Sequence, residues 1–422
     1  MTPLRPLAPL LITAGILLAG NGVQGTMIAL RGSVEGFEPW LIGLMGTTYF
    51  GGYIVSCIYA PRLVEAVGHI RTFAALAAIA SAGTLMLVLL IDPVAWIVIR
   101  FAMGFCFSGL FTVIESWLNA SADKTDRARV LSIYRLIDLG AVTGAQYLIP
   151  AFGAGGFELF AIVAMFFGLS LVPVSVGDRS KPAPPDKFRF DLKAIWALSP
   201  LATIGCITIG MTNSSFRLIG PLYAEEMGLT VGEIATFMGA GIVGGAALQL
   251  PLGIVSDKLD RRWTLLAATL GAVLAGLYLT TAQAGDPWQL YLGIFLFGAF
   301  ALPLYSLSAA HANDLAQPGQ YVLIAAGLTF FFSVGAMVGP LASSWMIERL
   351  GASYLFVFTS IVHGAFLLIA VWRIYAGQRI PRSARTRFVA LMRTSPAIYR
   401  LARPARRKTS RSRDSGIGSS WN

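Results

Sequence analysis

Charge is what this chain has least of. Only 13% of its 422 residues are Asp, Glu, Lys or Arg, against about 25% in soluble domains. Apolar residues make up 56%, and the mean hydropathy is +0.69. One large soluble domain and a disordered chain are both excluded. Cysteine is scarce too. Cys57, Cys106 and Cys206 are an odd number with no metal-ligand spacing, each in an apolar run. No disulfide framework or zinc site follows; they read as small buried hydrophobes. There is no phosphate-binding loop, metal cluster or nucleophile–base constellation. Gly-x-Gly runs follow no strand and read as packing features. No enzyme activity and no cofactor are expected, and the missing nucleotide motif argues against direct use of ATP.

The net charge of +11 lies wholly at one end. Residues 379–422 hold twelve Lys/Arg and one acid, Asp414; the rest of the chain holds twenty bases and twenty acids. A basic balance suits nucleic acid or an anionic membrane. The tail has no folded recognition element, so nucleic acid is not expected. Phe388, Leu391, Ile398 and Tyr399 alternate with Arg385, Arg387, Arg393 and Arg400. That pattern suits association of 385–403 with anionic lipid headgroups.

Twelve apolar runs, near 7–30, 39–60, 72–91, 94–118, 130–150, 157–176, 199–223, 231–255, 263–282, 288–311, 322–347 and 353–375, match the roughly 20 residues a bilayer-spanning helix needs. The first is too long for a signal peptide and reads as a retained span. Turn chemistry at Asp92-Pro93, Gly153-Ala-Gly-Gly156, Asp286-Pro287 and Gln317-Pro-Gly319 makes short links between antiparallel neighbours. With the N-terminus in the cytoplasm, fifteen body bases lie on inward loops and helix ends, and only Arg31 and Arg349 face outward. That asymmetry places both termini in the cytoplasm of a multi-pass plasma (bacterial inner) membrane protein. The Pro- and charge-rich segment 177–198 reads as a cytoplasmic linker. It divides an N-terminal bundle, 1–176, from a C-terminal bundle, 199–378; the basic tail, 379–422, follows.

The halves repeat. Gly68 corresponds to Asp260, Arg100-x-x-x-Gly104 to Ile294-x-x-x-Gly298, and Gly140-x-x-x-Gly144 to Gly335-x-x-x-Gly339. Each small-xxx-small pair sets two residues on one helix face, where backbones can approach. Related halves with a central site suit alternating access.

The loop after the eighth run, Gly253-Ile-Val-Ser-Asp257-Lys-Leu-Asp260-Arg261-Arg262, resembles a motif of the major facilitator superfamily, Gly-x-x-x-Asp-Arg/Lys-x-Gly-Arg-Arg/Lys. Asp260 stands in place of the second Gly. Arg100-x-x-x-Gly104 resembles the family's fourth-span motif. Gly335-x-x-x-Gly339-Pro340 resembles its Gly-Pro motif, though in the eleventh span. Glu115-Ser116 and Gly220-Pro-Leu-Tyr223 are similar to the YcaD-like group of bacterial transporters. The first loop copy, Pro61 to Arg71, lacks the leading Gly and has Glu65 at the Asp position. The resemblance implies an all-α integral membrane protein of twelve transmembrane helices in two pseudo-symmetric six-helix bundles. It also links Arg100 to substrate or proton coupling.

Charges within the spans are the candidate site, because each is costly there. Arg100 lies roughly 10 Å deep in the fourth span. Arg135 and Asp138 share a face of the fifth, Asp138 about 13 Å in from Arg129. Desolvation and an adjacent arginine pull such a carboxylate in opposite directions, which suits it to carrying a proton; a static ion pair is the alternative. Asn213 and Arg217 in the seventh span match Asn21 and Gln24 in the first, a pairing that suits a central polar site. Gln249, before Pro251, and Tyr305, after Pro303, are further substrate candidates, since those prolines bend helices and bare carbonyls. Glu115 reads as gate or scaffold, pairing with Arg127, Arg129 or Arg135. Gly253, Asp257, Arg261 and Arg262 read as a cytoplasmic gate. In that gate, Asp257 faces a helix N-terminus across the half-to-half interface, and the arginines meet carboxylates of other spans. His363 reads as structural.

The expected function is secondary active transport of a small solute by alternating access, as a monomer coupled to a proton or other ion, with export favoured over uptake. The alternatives are an uptake permease for a polar or anionic metabolite, a receptor or sensor on a transporter scaffold, and an integral-membrane enzyme.

Overall fold

In the computed structural model, residues 7–121, 127–177, 191–317, 320–376 and 388–389 are described. The polybasic stretch 385–403 lies outside them except for Phe388 and Val389, as does most of the linker.

Every element among the described residues is helical. The first part holds α1 (Ala8–Val34), α2 (Pro39–Val67), α3 (His69–Leu89), α4 (Pro93–Ser121), α5 (Arg127–Gln146), α6 (Leu148–Phe152), α7 (Glu158–Leu169) and α8 (Leu171–Gly177). The second holds α9 (Leu192–Leu198), α10 (Pro200–Glu226), α11 (Val231–Lys258), α12 (Arg261–Thr280), α13 (Pro287–Ala301), α14 (Leu304–Leu315), α15 (Tyr321–Leu350) and α16 (Tyr354–Ala376). The expected turn at Asp286-Pro287 opens a helix. The Asp286 carboxylate accepts from the N–H groups of Trp288 and Gln289, with Pro287 opening α13. Thr230 and Glu233 form a capping box on α11, which satisfies two orphan donors reciprocally.

Ten helices or joined pairs among the described residues are long and apolar enough to cross a membrane, and eleven if α9 and α10, bent by 109°, form one span. The expectation of twelve is therefore met only in part. α5 occupies the predicted fifth position, but it carries Arg127, Arg129, Arg135 and Asp138 in 20 residues. The prolines act unequally. The tenth span breaks into α13 and α14 at Leu302-Pro303, as a missing N–H and a ring clash dictate. α11 runs through Pro251 as a single helix.

α1 packs on α5 and α7, α2 on α4, and α3 on α4 and α7. In the second part α10 packs on α15 and α16, α11 on α13, and α12 on α13 and α16. α2 against α15, α1 against α10, and α5 against α11 join the two sets. The repeat is visible in this packing. Gly52 lies against the Phe101 carbonyl and Gly104 against that of Tyr49, so α2 and α4 touch backbone to backbone. Gly244 against Phe295 and Gly298 against Gly241 do the same for α11 and α13. Gly335 and Gly339 press α15 onto the carbonyls of Ile207 and Met211 on α10. Gly140 and Gly144 differ: nothing lies within 4 Å of a Cβ added at either. They share the exposed face of α5 with Leu136 and Tyr147, so the close approach expected of that pair is absent. α5 instead meets α1 through Val142, against Gly22.

The outer surface is apolar. Leu89, Leu136, Val176, Trp288, Leu368 and Tyr375 are all more than 60% exposed, as lipid-facing side chains should be.

Candidate functional site

The site begins with the close crossing of α2 and α4. Because Gly104 lets the Tyr49 backbone approach, the Tyr49 ring comes to lie over the Arg100 guanidinium, 4.3 Å from its carbon to the ring centroid. Arg100 is 4% exposed. Its Nη1 donates to Gln24 Oε1 on α1 at 3.0 Å, and its Nε has no partner. The Tyr49 hydroxyl donates to Asn21 Oδ1 at 3.1 Å. Gln146 on α5 donates to the Gly22 carbonyl at 2.9 Å and accepts from Thr26 at 2.8 Å, which fixes α5 against the same turn of α1.

α10 completes the arrangement from the other half. Gly25 lies against the backbone carbonyl of Arg217, so Arg217 stands beside the helix turn that holds Arg100. Together these residues line a cavity with about 630 Å³ of empty space, the opening at its mouth included. Asn21, Gln24, Tyr49, Arg100, Gln146 and Arg217 supply its polar wall. Phe50, Leu218, Met238, Ile242 and Pro340 supply the apolar one. Among the described residues, no carboxylate lines it and Arg217 makes no ion pair.

Of the eight predicted substrate or coupling residues, Asn21, Gln24, Arg100 and Arg217 come together here. The other four do not line this cavity. Asn213 is buried one turn before Arg217, with its Oδ1 unpartnered. Asp138 pairs with Arg135 at 2.8 Å. Arg135 also donates to Gln249 Oε1 on α11 at 2.7 Å, and Gln249 donates to Ser306 at 3.0 Å. The Asp138–Arg135–Gln249–Ser306 chain thus crosses from one half to the other. Tyr305 is buried beside Thr329, 3.3 Å away, and meets the Phe332 ring edge-on.

The loop arginines pair with carboxylates of their own half. Arg261, 1% exposed, pairs with Asp314 at 2.6 Å and with Asp257 at 3.2 Å. Arg262 pairs with Asp260 at 2.9 Å. Asp257 also accepts the backbone N–H of Phe388 at 2.9 and 3.1 Å, and the Phe388 ring sits on Gly253. Among the described residues, then, Asp257 meets its own helix and the tail, not a helix end of the opposite half. The missing side chain at Gly253 supplies the seat for that ring. Glu115 is buried and accepts from the Tyr134 hydroxyl on α5 at 3.1 Å, while Arg135, one of its expected partners, is taken by Asp138.

The halves close on the side away from this loop. Trp40 N–H donates to Glu348 at 3.3 Å, Gly43 lies against Ser344, Gly46 against Pro340, and Thr47 donates to the Met337 carbonyl.

A sequence profile of the Major Facilitator Superfamily matches residues 10–248 and 201–409. The chain belongs to the major facilitator superfamily. It is a multi-pass membrane transporter protein of that family. The uncharacterized MFS-type transporter YcaD of Shigella flexneri serotype 5b is 24% identical over 370 residues, 86% of this chain and 95% of that protein. YcaD of Escherichia coli O139:H28 is as similar. Among solved structures, the nucleoside transporter NupG superposes with a TM-score of 0.73 at 12% identity, covering 88% of this chain and 98% of that one. A bacterial homologue of the human lysosomal transporter Spinster, inward-facing and occupied, gives 0.68 at 14%, covering 91% and 99%. These likenesses show the fold.

Within this major facilitator superfamily chain, Tyr49, Phe50 and Gln146 are among the cavity residues that sequence reasoning missed. Tyr49 lies three and four residues from Gly52 and Tyr53 in an aromatic and glycine run, with no charged residue beside it to mark it out. Its signal was the spacing between Gly104 and Arg100, which becomes informative only once α2 is known to be the helix that Gly104 admits.

Proposed function

We propose that this protein carries a small solute through the Arg100–Arg217 cavity by alternating access, its two halves rocking about that site, with a proton bound and released at Asp138. The observation that carries the reading is that both halves build the cavity, Asn21, Gln24, Tyr49 and Arg100 from one and Arg217, Leu218, Met238 and Ile242 from the other. A second supporting feature is the Arg135 guanidinium, which ties Asp138 to Gln249 across the halves. A proton on Asp138 would release Arg135 from its ion pair and loosen that bridge. The gate arginines, Arg261 and Arg262, hold the loop end of the second half together through the cycle. Both termini face the cytoplasm in this reading.

The test is flux in vesicles holding the purified protein under an imposed pH gradient, with solute loaded on either face so that direction is read as well. Asp138→Asn is expected to abolish gradient-driven accumulation and to leave solute exchange without a gradient intact. Unchanged accumulation in that variant would remove the proton role. Flux of no solute across a broad panel would remove transport itself.

A further inference from the structure

The cavity has a charge problem that the polypeptide leaves unsolved. Arg100 is buried, its guanidinium meets one side-chain oxygen and one ring face, and its Nε–H points to no acceptor. Arg217 enters from the other half and makes no ion pair with any described residue; Asp138 attracts it from beyond ion-pair distance and Arg135 repels it. No described carboxylate lines the cavity wall; Asp138, the intramembrane acid on α5, is held by Arg135. Two guanidiniums in one low-dielectric space repel each other and are short of acceptors. Guanidinium forks match carboxylate geometry better than any other small ligand group except phosphate.

The remaining wall decides between those two. Phe50, Leu218, Met238, Ile242 and Pro340 give the same cavity an apolar lining. A free inorganic anion would leave that lining against a strongly hydrated ion. A carboxylate on an apolar body satisfies both walls at once.

We infer that the solute is a small organic anion, a carboxylate held jointly by Arg100 and Arg217 with its apolar body against Phe50, Leu218 and Ile242. This deepens the transport reading and rests on it. It also gives the bound anion a role in the cycle. One guanidinium belongs to each half, so the anion removes the repulsion that opposes their approach, and a loaded carrier closes more readily than an empty one.

The test uses the purified full-length protein in lipid nanodiscs. Benzoate, phenylacetate and hexanoate are titrated against their neutral amides and against inorganic phosphate, with the thermal unfolding midpoint as readout. At least one carboxylate is expected to raise the midpoint while its amide does not. Arg217→Gln is expected to weaken that carboxylate by about tenfold or more, the scale of one lost charge-assisted hydrogen bond, and Arg217→Lys to recover part of it. Arg100→Gln removes a buried, stacked side chain and can unfold the protein, so the half-buried Arg217 is the deciding position. An amide that binds as well as its acid, phosphate binding more tightly than every carboxylate, unaltered affinity in Arg217→Gln, or no response to any carboxylate overturns the inference. Vesicle flux separates it from the transport reading. A neutral or cationic solute that crosses while no carboxylate binds removes the anion assignment alone. Carboxylate binding without flux of any solute removes transport alone.

Discussion

A single guanidinium shows how this protein keeps a charge inside a membrane. Isolated ions are costly there, and Arg100 is held by the Tyr49 ring and the Gln24 amide oxygen in place of a carboxylate. The ring supplies the larger share, since a cation over an aromatic face is worth about 2 kcal/mol when desolvated. Tyr49→Phe keeps the ring and loses only the bond to Asn21, so it is expected to lower stability by about 1 kcal/mol. Tyr49→Ala removes the ring and is expected to cost about twice as much. Thermal unfolding of the two variants in one detergent checks the order; equal losses would mean that the hydroxyl, and not the ring, holds the arginine. Arg100 was legible in the sequence because arginine in an apolar run is rare. Its partners were not, because Tyr49 and Gln24 lie on different helices, 51 and 76 positions away.

At the scale of elements, glycine pairs divide into those that join helices and those that do not. Gly104 and Gly52 bring α2 and α4 into backbone contact, and Gly335 with Gly339 does so for α15 and α10. Gly140 and Gly144 carry the same spacing on a face that meets nothing. Spacing alone cannot distinguish these cases, because it fixes the face of a helix and not the neighbour opposite it. Gly104→Ala is expected to destabilise by about 1–3 kcal/mol or to prevent folding, since the new carbon meets the Tyr49 backbone, which cannot move aside. Gly140→Ala is expected to be neutral or to stabilise by up to about 1 kcal/mol through helix propensity. Size-exclusion profiles and unfolding midpoints of the pair give the comparison. The prolines teach the same lesson: α13 stops before Pro303, whereas α11 continues through Pro251.

Across the whole molecule, the halves meet where α2 packs on α15, α1 on α10 and α5 on α11. Trp40–Glu348, Gly43–Ser344 and Thr47–Met337 close the side away from the loop, and the loop side is held by contacts within the second half and by Phe388 on Asp257. If the halves rock, the first set must part during each cycle. A disulfide between Gly43→Cys and Ser344→Cys is expected to reduce vesicle flux by about tenfold or more, with recovery on reduction. Full flux in the oxidised protein would mean that this side does not open. The loop motif also changes meaning at this scale. As sequence, Asp257 is a gate carboxylate facing the other half; in the fold, the tail donates to it, across 131 positions of chain.

Composition and periodicity alone determined that the chain is helical and apolar, roughly where its helices fall, and that Arg100 and Glu115 lie within them. Those are local properties, set by hydropathy over roughly 20 residues and by the donors and turn residues at each helix end. The tertiary structure decided which buried charges meet. It joined Arg100 and Arg217 in one cavity, withdrew Asp138 into an ion pair, and gave Gly253 to the Phe388 ring. The physical reason is that each of these outcomes depends on the crossing of two helices distant in sequence. A crossing is fixed by which small residues let which backbones touch.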